Sequence, residues 1–301
     1  MVSSMDSNLG RITTTRHPFA IGGIGGPTVV LDYGPLRVLS DPTFDQPRDY
    51  GPYRKLTGPA VSVEELGEVD AVLVSHDLHH DNFDDAGRAF AAAAPVLLTG
   101  PQAARRLGGN ATGLAPYEST TLTRTGPGPG TQVYAVPAQH GPLDGDRDEF
   151  GNINTEVTGF VLQGQGLPTV YVSGDNASIE PVLHIHEHFP TIDVAVLHTG
   201  AARVSAKNAG RPLTLTADRA ADVALILGVT AVVPAHCDGW SIYSQTCSDV
   251  ERSFHDAGIA DRLHHSALGT WALCHKPAPI PAQLVAPRRM GSPTWAAPTD
   301  A

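Results

Sequence analysis

The chain has only three cysteines in 301 residues, no CxxC pair among them, and no apolar run near the roughly 18 residues that a membrane span needs. The first scarcity excludes a multi-disulfide scaffold. It predicts reduced thiols at Cys237, Cys247 and Cys274, as in a cytoplasmic protein. The second excludes a helical membrane protein, and the polar stretch Met1 to Arg16 lacks the apolar core of a signal peptide. Positive charge is also short: 20 Lys and Arg face 31 Asp and Glu, a net charge of −11. That balance disfavours nucleic acid and anionic membrane surfaces as partners. In their place stand 31 glycines, 25 prolines and 14 histidines within a chain that is 41% hydrophobic. This is enough apolar material for a large core, with many turns and an excess of imidazole.

Short apolar runs alternate with turn residues. Thr28–Leu31 and Leu36–Leu39, separated by Asp32-Tyr33-Gly34-Pro35, predict a β-hairpin. Strand and helix patterns then take turns. Ala71–Val74, Pro95–Leu98, Val133–Val136, Gly159–Leu162, Thr169–Val172, Ile192–Leu197 and Ala231–Val233 read as strands. Asp84–Ala94, Pro101–Leu107 and Ala217–Leu227 (capped by Thr216) read as helices. Such an order predicts an α/β fold, an αββα sandwich of two mixed sheets flanked by helices. We expect an N-terminal segment over 1–17, one domain over 18–276 and an extended Pro-rich tail over 277–301. Oligomeric state is left open.

Ligand-type residues recur where strand patterns end. Ala71–Val74 runs into Ser75-His76-Asp77-Leu78-His79-His80-Asp81-Asn82, and Val133–Val136 is followed closely by His140. Val170–Val172 runs into Ser173-Gly174-Asp175, Ala195–Leu197 into His198, and Ala231–Val233 into Pro234-Ala235-His236. Loops at one edge of layered sheets expose side chains on a rigid mount, so five such junctions point to one convergent site. Imidazoles and carboxylates together suit a divalent transition metal.

The pattern resembles the metallo-β-lactamase superfamily over about residues 18–275, and within it the branch that includes ascorbate-phosphate lactonases. Its HxHxDH motif is matched here with one extra residue: His76, then His79, Asp81, and Asn82 in the last histidine's place. Ser75–Asp84 is similar to a variant form SHDHHxDNLD except at Leu78, and Gly25-Gly26-Pro27-Thr28 and Asp41-Pro42-Thr43-Phe44 also resemble that branch. The resemblance implies that His76, His79 and His140 hold a first metal. Asp81 and His236 would hold a second, with Asp175 bridging both. If the family's second histidine aligns with position 78, His79 or His80 substitutes for it. Asn82 offers an amide oxygen, a weaker zinc ligand than imidazole.

These residues imply a metal-dependent hydrolase of a small molecule, with a lactone or ester ahead of a phosphodiester. Hydroxide generated by the metal would hydrogen-bond to Asp175 or Asp81 and attack the carbonyl or phosphoryl centre. His198 would stabilise the oxyanion or protonate the leaving group, unless its role is structural. Asp41 would orient a ligand histidine. The cofactor implied is one or two Zn2+, with Mn2+ or Fe also compatible with the ligand types. The competing expectation is a degenerate member that binds metal or ligand without turnover. Elsewhere, His184-Ile-His186-Glu-His188 reads as an exposed helix, Gly22–Gly26 as a tight turn and His264-His265 as a surface pair. Cys237 reads as a small buried residue, and Asp144, Asp146, Asp148 and Glu149 as a solvated loop.

Overall fold

Along the first strands, alternate side chains part to opposite faces. From Phe19–Gly25 (β1), Phe19 and Ile21 enter one apolar cluster while Ala20 and Ile24 enter another. Thr28–Tyr33 (β2) sends Val29, Leu31 and Tyr33 one way and Val30 the other. A sheet apolar on both faces must be covered on both. The computed structural model, which describes residues 9–124 and 130–274, shows how.

Leu36–Ser40 (β3) completes an antiparallel meander. A small ribbon, Arg48–Asp49 (β4) with Arg54–Lys55 (β5), and a helical turn, Val63–Leu66 (α1), follow. Parallel units come next: Ala71–Leu73 (β6), Asp85–Ala93 (α2), Leu97–Thr99 (β7), Pro101–Leu107 (α3) and Ala111–Gly113 (β8). The second sheet is built from Ser119–Leu122 (β9), Thr131–Pro137 (β10), Thr158–Gln163 (β11) and Val170–Val172 (β12), all antiparallel to their neighbours in sequence. It continues in parallel through Glu180–His188 (α4), Val194–His198 (β13), Ala217–Leu227 (α5) and Ala231–Ala235 (β14). Cys247–Asp256 (α6) precedes Leu273–Cys274 (β15), which returns to pair with β1. The sheet orders are β15-β1-β2-β3-β6-β7-β8 and β14-β13-β12-β11-β10-β9.

One cluster, including Leu31, Val38, Leu73, Val133, Phe160 and Val196, fills the space between the sheets. A second packs Val182, Val223, Leu227 and Phe254 of α4, α5 and α6 on the outer face of the six-stranded sheet. A third lies outside the seven-stranded sheet, with Leu66 and Ala91 from α1 and α2. The fold is the αββα sandwich that the sequence predicts.

Three expectations are corrected. The hairpin turn is only Gly34-Pro35: Asp32 and Tyr33 stay in β2 because Asp32 pairs directly with Arg37 across the ladder. Gly22–Gly25 lie within β1 rather than in a turn. A Cβ on Gly22 would stand 2.7 Å from the Thr270 carbonyl, so glycine there serves close approach. Third, Cys237 and Cys247 form a disulfide, with Cα atoms 5.3 Å apart. The end of β14 and the start of α6 bring them together across a loop with no sequence signature, so reduced thiols at both positions are excluded. We expect thiol titration of the unfolded protein to give one group (Cys274) before reduction and three after. Reductant should cost about 2–3 kcal/mol, lowering Tm by roughly 5–10 °C. Three titratable thiols without reductant would refute the pairing. The tail over 277–301 lies outside the described residues. Among the described residues, no helix is long and apolar enough to cross a membrane.

Candidate metal centre

Each chemistry-bearing residue sits where a strand of one of the two sheets ends. The loop after β6 carries His76, His79 and Asp81; His140 follows β10, Asp175 follows β12, His198 is the last residue of β13, and His236 follows β14. The loops interlock closely. A Cβ on Gly174 would come 2.5 Å from Ser75 Cβ, and one on Gly200 would come 2.0 Å from the His236 carbonyl. Glycine at both positions lets the loops after β12 and β13 touch those after β6 and β14.

His76, His79 and His140 form a first group. His79 Nδ1 lies 2.9 Å from His76 Nε2 and 3.1 Å from His140 Nε2. His140 Nδ1 donates to the Leu213 carbonyl at 2.8 Å, which leaves Nε2 as the lone pair facing its neighbours. His76 Nδ1 is 3.1 Å from Ser75 Oγ, which turns Nε2 toward His79. His79 Nε2 meets Lys207 Nζ at 3.1 Å. Burial, with smaller effects from neighbouring positive groups, pushes all three imidazoles below their ordinary 6.5. At neutral pH, therefore, uncharged nitrogens converge. His80 is not among them: it stacks on Tyr50 with ring centres 4.6 Å apart and lies partly exposed. Leu78 is half exposed to solvent. Of the two candidates to substitute at the motif's second histidine, the structure brings only His79 to the cluster.

Asp175, His198 and His236 form a second group, with Asp81 beside it. Asp175 faces both groups. Its Oδ2 is 3.9 Å from His76 Nε2 and 3.8 Å from His140 Nε2, while its Oδ1 is 2.8 Å from His198 Nδ1 and 3.3 Å from His236 Nε2. Asp81 Oδ2 lies 3.4 Å from His236 Nε2. Burial would raise the Asp175 carboxyl, but His236, His198 and the first group hold it well below the usual carboxylate range. Burial would likewise lower His236, yet Asp175 and Asp81 raise it. Asn82 is buried with its Nδ2 on Asp41 Oδ1 (2.9 Å), Ser75 Oγ (3.1 Å) and the His76 carbonyl (3.2 Å). Asp41 also accepts from Ser75 N at 2.7 Å and lies 3.7 Å from His198 Nε2.

The donor set fits a divalent cation. Asp175 Oδ2 and His236 Nε2 are buried with no hydrogen-bond partner, and the Asp175 oxygen stands within 4 Å of the His76 and His140 Nε2 atoms. Lys207, which also donates to Asn154 Oδ1 at 2.8 Å, lies in an irregular loop where no motif marks it. Tyr243, whose ring lies 4.1 Å from that of His236, is equally invisible in sequence. The His184–His188 helix stands apart with His184 and His188 exposed, and the sulfurs of Cys237 and Cys247 are spent on each other.

The family model described as beta-lactamase superfamily domain matches residues 36–237, more than half of the chain. The chain belongs to the beta-lactamase superfamily. Several solved structures share the fold. An isothiocyanate hydrolase from Delia radicum gut bacteria is 22% identical, with a TM-score of 0.69 over 83% of this chain and 97% of that one. The metallo hydrolase Igni18 from Ignicoccus hospitalis is 18% identical, with a TM-score of 0.62 over 84% and 97%. CmlA, a diiron β-hydroxylase from Streptomyces venezuelae, is 15% identical, with a TM-score of 0.60 over 84% and 54%. No curated protein matches the chain.

The first group's protonation sets a pH dependence. Its imidazoles titrate lower folded than unfolded, so their contribution to stability is present above 6.5 and is lost as pH falls. Asp41 acts oppositely: burial raises it to about 6, so its contribution is full below the ordinary 3.8 and lost as pH rises through 6. His236, raised by Asp175 and Asp81, also gains as pH falls, so three lowered imidazoles stand against Asp41 and His236, and Tm of the chelator-treated superfamily member should fall between pH 6.5 and 5.5. A rise over that interval would show that the imidazoles are not held neutral.

Proposed function

We propose that the protein is a metal-dependent hydrolase acting on a small-molecule lactone or related ester, ahead of a phosphodiester. The observation that carries this reading is the shared carboxylate: Asp175 stands between three neutral imidazoles on one side and His198, His236 and Asp81 on the other. A divalent ion in such a site would supply Lewis acidity and lower the pKa of water to about 7. The Leu213 carbonyl and Ser75 hydroxyl hold His140 and His76 in the orientation that presents Nε2. Asp175 and Asp81 are the carboxylates placed to accept a proton from the attacking water. Lys207, half-buried at the edge of His79, puts a positive charge where a developing anion needs one. Zinc is the ion we favour, because five imidazoles dominate the donors.

Asn82 at a histidine position of the motif favours one competing reading, a member that binds metal without turnover. Elemental analysis of protein purified without added metal, followed by assay against a lactone, an aryl ester, a phosphodiester and an isothiocyanate, separates them. The last compound is included because a protein of the same fold acts on that class. Metal with hydrolysis that His76→Ala abolishes supports the hydrolase. Metal with no hydrolysis of any class supports the binding protein, and no metal even after zinc is supplied overturns both.

A further inference from the structure

We propose that His198 is a ligand of the second metal, held in place by Asp41 and Asn82, and not a proton donor to the leaving group. This rests on the metal-dependent reading above. Position 82 has no imidazole to offer, and its amide nitrogen is committed to Asp41 Oδ1, Ser75 Oγ and the His76 carbonyl. His198 arrives from another strand end with the group that position 82 lacks. Its Nδ1 and His236 Nε2 approach the same oxygen, Asp175 Oδ1, at 2.8 and 3.3 Å. Within this group one nitrogen of each histidine and a carboxylate oxygen all lie within 4.8 Å of one another, close enough for a single ion. The two rings stack with planes 10° apart and centres 5.0 Å apart, and both are completely buried. Both ring nitrogens of His198 face carboxylates, Nδ1 toward Asp175 and Nε2 toward Asp41, so neither is aimed at a leaving group that enters from solvent.

The far nitrogen supports the same assignment. His198 Nε2 is buried without a hydrogen-bond partner, 3.7 Å from Asp41 Oδ2. Metal-bound imidazoles characteristically direct their other N–H toward a carboxylate, which fixes the tautomer. Asp41 is itself fixed, its Oδ1 accepting from Ser75 N and Asn82 Nδ2. Asn82 thus passes from ligand position to supporting position: it steadies the carboxylate that steadies His198. The resulting donor set, Asp81, Asp175, His198 and His236, has two imidazoles and two carboxylates, which suits zinc, manganese or iron.

The test strips the full-length protein with chelator, reloads it with Co2+, and reads bound equivalents by elemental analysis and by visible absorption during titration. We expect two equivalents in the wild type and one in His198→Ala, with at least about 100-fold weaker second-site binding. Asp41→Asn should keep the capacity but weaken the second site by about 10–100-fold. Circular dichroism of the metal-free variants checks folding. Should His198→Ala fail to fold, the Co2+-loaded wild type still decides. Each bound histidine gives one exchangeable imidazole proton with a large hyperfine shift: five if His76, His79, His140, His198 and His236 all ligate, four if His198 does not. Four signals, or two equivalents of unchanged affinity in His198→Ala, overturn the assignment alone. One equivalent in the wild type also overturns it, leaving the first group intact. No bound metal in the wild type overturns the hydrolase reading itself.

Discussion

Asp175→Asn is expected to lower turnover about a thousandfold or more and to reduce bound metal from two ions per chain to one or fewer. Among the described residues no other carboxylate faces both groups, with Oδ2 3.8 and 3.9 Å from His140 and His76 and Oδ1 2.8 and 3.3 Å from His198 and His236. Asparagine keeps the shape but removes the charge, and its amide nitrogen is a donor that cannot ligate. One group loses its oxygen outright, and the other keeps only a neutral one. Losing several kcal/mol of electrostatic stabilisation corresponds to about three powers of ten in rate, since each 1.36 kcal/mol is tenfold. Elemental analysis alongside kcat/KM checks both halves. Activity within tenfold of wild type with full metal content would show that Asp175 is a bystander.

Much of this was legible because strands and helices here follow local rules. Asp84 and Thr216 cap α2 and α5 through their side chains, and Pro101 opens α3, where Ser/Thr/Asp-before-helix and Pro-at-N1 signals place them. The strand-end histidines and aspartates were equally plain, since short continuous apolar runs stop where they begin. Other features depend on how a loop returns. Whether His79 or His80 enters the site is decided by a turn in which Asn82 N and Phe83 N both donate to the His79 carbonyl, facing His80 outward against Tyr50. Spacing alone cannot show that. Lys207 reaches His79 across 128 residues and the disulfide closes an unmarked loop, so neither leaves a periodic trace. His198 was visible as a candidate, but its partners Asp41 and Asn82 come from other strand ends and only folding joins them.

Arg37→Ala should destabilise the protein by about 3–5 kcal/mol, and Tm should fall by roughly 10 °C or more, with metal content unchanged. Arg37 is completely buried at the start of β3, and all five of its N–H donors are used. Nε and Nη2 grip the Asp32 carboxylate at 2.7 and 2.9 Å, Nη1 reaches the Thr13 and Leu66 carbonyls at 2.7 and 2.5 Å, and Nη2 reaches the Thr15 carbonyl at 3.0 Å. Residues before β1 are thereby tied to the sheet, and His17 N completes the tie by donating to Asp32 Oδ2 at 2.8 Å. Alanine leaves Asp32 buried without its counter-charge and three carbonyls without donors. Lysine keeps the charge but not the planar fork, so Arg37→Lys should also lose stability. Removing both charges with Asp32→Leu and Arg37→Met should cost less than Arg37→Ala, because the penalty lies in the stranded partner. Denaturant unfolding of the metal-free proteins measures all three. A double variant worse than the single would mean that the pair is net favourable even after its burial, and that the clamp, rather than the apolar layers, holds residues 13–17 against the sheet whose far end carries Asp41.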